Sequence, residues 1–191
     1  MLAFQPLSGQ DLSVLVRDCN TPSHIFTTLD PLHSLLNVSD NETNPIRVFH
    51  KSLPDFLTDK ERCKNKLFFI DPLVHHGSIL LSCLELMRKQ LKRNICNLED
   101  YAFLKDVKDL DSYKKTYIGS SLEYACRFWT KHLVNIPGNG PHTKQVQEEI
   151  EDFFTMHVLH WIESLSILGY LGAAVYALND IKQWYASVSY I

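Results

Sequence analysis

A chain of 191 residues, 45% hydrophobic and 21% charged, carries enough apolar material for a buried core, which excludes a disordered chain. Its formal net charge of -3 provides no broad basic field, so neither nucleic acid nor an anionic membrane is an expected partner. Five scattered cysteines (Cys19, Cys63, Cys83, Cys96 and Cys126) form no CxxC pair and fit reduced thiols better than a disulfide framework. The first residues, MLAFQPLSGQDL, have neither a basic start nor a long apolar run, so no secretory leader is expected. In the same stretch Ser8 caps a short helix running to about Val16, with Asp11 in the capping-box position. Thr21 then serves as N-cap and Pro22 as first residue of a second helix, whose Ile25, Phe26 and Leu29 share a face; Pro31 ends or bends it.

Two β-prone runs follow, HSLLNV and IRVFH, separated by the turn-rich SDNETNP. They predict a hairpin pairing roughly Ser34–Val38 with Ile46–His50, with Ile46 and Val48 on one face and Arg47 and Phe49 on the other. Ser52 is then placed to cap a third helix, with Pro54 and Asp55 in its first turn. Helix, helix, hairpin, helix is the order of a winged-helix domain, expected over residues 1–58 with the hairpin as its wing. The sequons at Asn37 and Asn41 read as turn residues rather than glycan sites.

Residues 59–191 read as an antiparallel helical domain of five or six helices, so the expected fold class is mainly α. Asp71-Pro72 is a strong start signal, followed by the stripe Leu73, His76, Leu80, Cys83, Leu84, Met87 and Leu91. Leu122, Ala125, Trp129 and Leu133 repeat the pattern. A loop, NIPGNGPHT, precedes a helix that begins acidic, KQVQEEIEDFF, as the helix dipole favours. Two further helices complete the chain, with Gly169 and Gly172 allowing close helix approach. The longest apolar run, Ile167 to Leu178, is too short to span a bilayer; a cytoplasmic, membrane-free protein is expected.

Signatures of chemistry are sparse. Seven glycines yield neither GxxxxGK[ST] nor GxGxxG, and there is no GxSxG or HExxH, so no enzyme activity and no metal are expected. His157, His160 and Glu163 have ligand-like spacing on one helical face, but a half-buried polar edge beside Trp161 accounts for them better. His75-His76 with Cys83 is weaker, since adjacent helical residues diverge by about 100°.

The segments LDPLHSLLNVSDNETNPIRVFHKSLPDFLTDKERC, LELMRKQLKRNICNL, EYACRFWTKHL and HVLHWIESLSILG occur in that order, within a similarity that runs from about residue 5 to residue 170. Together they make the chain resemble the segment that follows the NTPase core in fungal NACHT-type signal-transduction (STAND) NTPases, a group including heterokaryon-incompatibility proteins. The resemblance implies a winged-helix and helical module that packs on a NACHT core, in cis or in trans, and controls an ADP-closed, ATP-open switch by protein–protein contacts. It further implies that His50, at the joint of strand and helix, touches the β-phosphate of ADP when such a core is present. No ATP or ADP cofactor is expected in this chain alone, which departs from the family pattern in having no P-loop and in carrying Leu53-Pro54 where the family often has Phe and a polar residue.

The alternative reading is a winged-helix nucleic-acid-binding protein. Its recognition helix, PSHIFTTLDPL, holds no Lys or Arg, and the wing offers Arg47 against Asp40 and Glu42. Phosphate contacts need cations on that face, which disfavours the alternative.

Overall fold

The computed structural model describes residues 2–16, 21–39, 41–99, 103–140 and 142–189. Among them helices predominate, with one small antiparallel sheet. The first helix, α1 (Gly9–Leu15), is capped as its sequence dictates: Ser8 and Asp11 close a reciprocal capping box. Thr21 caps α2 (Pro22–Leu29), and Asp30–Leu32 continue as a single 3₁₀ turn where Pro31 removes a donor.

The hairpin forms where alternation placed it but is shorter. Strands β1 (Leu36–Asn37) and β2 (Arg47–Val48) pair Leu36 with Val48 and Asn37 with Arg47. Its connection is closed by side chains rather than by a longer ladder: Asn41 Oδ1 accepts from the Thr43 N–H at 3.0 Å and from its hydroxyl at 2.8 Å. Helix α3 (Ser52–Thr58) follows directly.

Helices α4 (Pro72–Gln90) and α6 (Gly119–Leu133) pack against each other more extensively than any other pair. Leu80, Cys83, Leu84 and Met87 from α4 and Leu122, Ala125, Trp129 and Leu133 from α6 are all buried in one core. Each large side chain removed from water contributes roughly 1.5–3 kcal/mol, so this pair anchors the molecule. Leu73, expected in the same stripe, is instead 48% exposed, because it sits in the first turn beyond the end of the packed face.

Around that pair lie α5 (Leu110–Tyr113), α7 (Thr143–Met156), α8 (Val158–Leu168) and α9 (Leu171–Ser189). Trp161 of α8 donates its indole N–H to the Cys126 carbonyl at 2.8 Å, and Trp184 of α9 donates to the Ile136 carbonyl at 3.0 Å. These two tryptophans thus bury their rings without orphaning their donors, whereas the indole N–H of the buried Trp129 has no partner among the described residues. Helix α1 packs on both α4 and α6, and Leu7 and Leu15 join the same core.

Two local expectations are corrected. The first turn of α7 holds no acidic residue; its carboxylates begin at Glu148, one turn too late to meet the dipole. Gly169 and Gly172 do not serve close packing, since a Cβ at either would meet nothing within 4 Å. Gly169 has φ 84°, the left-handed conformation that closes α8, and the Tyr170 N–H returns to the Leu165 carbonyl at 2.8 Å. No helix among the described residues is long and apolar enough to cross a membrane.

Candidate functional site

His50 stands exposed in the short joint between β2 and α3. Its Nδ1 lies 2.8 Å from the Ser52 hydroxyl and accepts the Ser52 backbone N–H at 3.1 Å. Lys51 occupies the N-cap position of α3 and makes no side-chain cap, so the expectation that Ser52 caps this helix is corrected: Ser52 is its first residue, and His50 supplies the acceptor. A ring nitrogen that accepts from an N–H carries no proton, which places the proton of the neutral ring on Nε2. That Nε2–H has no partner among the described residues and remains available to an acceptor outside the chain. Arg47 and Lys51, both exposed, stand within three residues of it.

A second polar feature is internal. The Phe4 N–H donates to Tyr124 Oη at 3.3 Å, Tyr124 Oη lies 2.8 Å from His132 Nε2, and His132 Nδ1 lies 2.8 Å from His76 Nδ1. Tyr124 and His132 are fully enclosed and His76 is buried. One proton arrangement satisfies every link. Tyr124 donates to His132, His132 donates through Nδ1 to His76, and His76 keeps its proton on Nε2. The reverse order would strand the buried Tyr124 proton, so burial selects the first. Burial lowers the His132 pKa to about 3, with His76 adding to the effect, and burial likewise lowers that of His76. Both rings are therefore neutral, and the chain links the N-terminal strap to α4 and α6.

Asp11 forms the third. Its Oδ2 accepts from the Ser8 N–H at 3.1 Å and the Ser8 hydroxyl at 2.7 Å; its Oδ1 accepts from Ser120 at 2.5 Å and Ser121 at 2.7 Å. Burial alone would raise its pKa, but the hydroxyls of Ser120, Ser8 and Ser121 outweigh that and leave it lowered. The carboxylate pins α1 to the start of α6.

Burial pushes the Cys83 and Cys126 thiols well up, so they are neutral and inert. Among the described residues no group of three His, Cys, Asp or Glu side chains is placed to hold a metal. His157 and His160 lie half-buried with ring centroids 6.0 Å apart, while Glu163 is occupied by the Asn94 N–H at 3.2 Å. The His76–His132 pair has no local signature, since 56 residues separate them.

No protein-family model matches the chain, and no solved structure matches it. The vegetative incompatibility protein HET-E-1 of Podospora anserina is similar, at 27% identity over 199 aligned residues, covering 93% of this chain. The chain spans 14% of the length of that relative. This similarity supports a distant relationship to fungal incompatibility proteins.

Proposed function

We propose that this chain is a non-catalytic regulatory module of a NACHT-type signalling NTPase, a winged helix joined to a helical bundle, which packs on a nucleotide-binding core and biases it between closed and open states. The observation that carries this reading is the similarity to HET-E-1 along 93% of the chain, in keeping with the motif-level resemblance. The arrangement at His50 agrees with it. A ring whose Nδ1 is fixed by the Ser52 N–H presents its Nε2–H outward, where a phosphate oxygen would be a good acceptor. In this reading the partner is a NACHT core, in cis or in trans, and ADP or ATP is bound by that core rather than by this chain.

The test is a graft. The chain replaces the matching segment of a NACHT-type NTPase, and dissociation of a fluorescent ADP analogue is followed by stopped flow. Slow release in the graft and fast release when the segment is deleted are expected. Equal release from both would overturn the proposal.

A further inference from the structure

Strand register divides the hairpin into two faces. Leu36 pairs with Val48 and turns inward with Ile46, whose N–H donates to the Leu7 carbonyl at 2.8 Å. The alternate positions turn outward together: Asn37 pairs with Arg47, and the Phe49 N–H donates to the Leu35 carbonyl at 3.1 Å. The outer face therefore carries Leu35, Asn37, Arg47 and Phe49, all of them exposed.

Phe49 leaves 63% of its surface in water and Leu35 leaves 43%. Cross-strand neighbours stand about 5 Å apart, so these two side chains form one apolar patch. The hairpin does not turn to cover it. The bond from Ile46 fixes its inner side on the N-terminal strap, and a slip of one residue would expose Leu36 and Ile46 in exchange. Arg47 is the one ionisable group of the outer four, and its guanidinium has no ion pair among the described residues.

What covers this face follows from its neighbour. His50 comes next in the chain, its Cα about 3.8 Å from that of Phe49, and its Nδ1 is already taken by the Ser52 N–H. A single charge-assisted hydrogen bond at Nε2 shifts an affinity roughly ten- to a hundredfold, whereas a micromolar complex needs about a millionfold over the standard state. A core that meets His50 must therefore also grip apolar surface beside it, and Phe49 with Leu35 is the exposed apolar patch next to it in the chain. We propose that the outer face of the hairpin is the docking surface for the nucleotide-binding core, with Phe49 and Leu35 entering an apolar recess and Arg47 meeting a carboxylate of that core. The inference rests on the functional reading above. It assigns the grip of the module to residues that touch no nucleotide.

The test adds the 191-residue chain in trans to the NACHT-type NTPase from which the matching segment has been deleted, with ADP and without nucleotide, and follows association by calorimetry. Phe49→Ser and Arg47→Glu alter exposed residues and should keep the circular dichroism of the parent chain. Each should weaken association about tenfold, with ADP and without it. His50→Asn should weaken association only with ADP. If Phe49→Ser fails to fold, Arg47→Glu decides the matter alone. A parent chain that neither associates nor slows ADP release would overturn the functional reading and this inference together. A parent chain that associates while the folded variants associate equally well would overturn this inference alone. So would a dimer of the chain that Phe49→Ser dissolves while association with the NTPase is unchanged, since the face would then serve a second copy.

Discussion

His50 caps α3 in the structure and touches phosphate only in the proposed module, and side-chain chemistry distinguishes the two. As a cap it accepts the Ser52 N–H, which an asparagine oxygen can also do two residues upstream. As a phosphate contact it offers an imidazole N–H. His50→Asn should therefore leave urea stability within about 0.5 kcal/mol, while His50→Ala should lose about 1 kcal/mol with the cap. Within a NACHT assembly both substitutions should speed ADP release roughly ten- to a hundredfold, since one charge-assisted hydrogen bond is worth about 1.5–3 kcal/mol. Unchanged release in both would reduce His50 to a helix cap. Asp11 gives the contrasting case, an acid whose work is internal. Asp11→Ala removes the acceptor of the Ser120 and Ser121 hydroxyls, which water can reach in part, and opens the capping box, with an expected loss of about 1–3 kcal/mol in chemical denaturation. Because its folded-state pKa is lowered, its contribution is present above the ordinary carboxylate value and is lost as pH falls through the folded value.

At the scale of elements, the joint between α4 and α6 carries a pH dependence of its own. His132 is held neutral by burial, with a pKa of about 3. Nothing is lost above the ordinary histidine value near 6.5. Below it the unfolded chain takes up a proton that the folded chain refuses, so stability falls. By linkage, His132 alone should remove about 2 kcal/mol between pH 8 and pH 5, and His76 shifts in the same direction. Urea midpoints at the two pH values measure this, and His132→Gln should flatten the dependence. A full slope retained in that variant would assign the effect elsewhere. The individual elements are largely readable from the sequence. Ser8, Thr21 and Asp71 cap the helices that their sequence neighbours indicate, and period-2 alternation places Arg47 and Val48 in a strand. Local hydrogen-bond chemistry needs only neighbours in sequence, which explains that success. Where competing local partners exist, the choice is not legible: His50 displaces Ser52 as the cap, and Gly169 is a helix terminator rather than a packing residue. His76 stands out as one position of an apolar stripe, but its partner 56 residues away depends on how α4 meets α6.

For the molecule as a whole, the decisive question is whether the chain handles nucleotide by itself. Its one glycine-dense stretch is the loop before α7, containing Gly138 and Gly140. A phosphate cradle needs backbone N–H groups facing open space at a helix start. Gly138 has no such space: a Cβ there would come within 2.8 Å of the Ser187 carbonyl oxygen at the end of α9. The glycine permits one backbone to approach another, so the loop packs on α9 at this position. Helix α7 also begins without a side-chain cap, and Lys144 in its first turn leans toward Glu148 at 3.9 Å rather than toward the loop. Calorimetric titration of the chain with ATP and with ADP, each with magnesium, should accordingly show no micromolar binding, and incubation with ATP should release no phosphate above buffer. Substituting Gly138→Ala separates packing from binding. As a packing position it should lower thermal stability, because backbone atoms of α9 must shift to admit the methyl. As a nucleotide position it would instead leave stability intact and abolish a measurable ATP signal. The second pattern would mean that the nucleotide belongs to this chain and not to the core it is proposed to regulate.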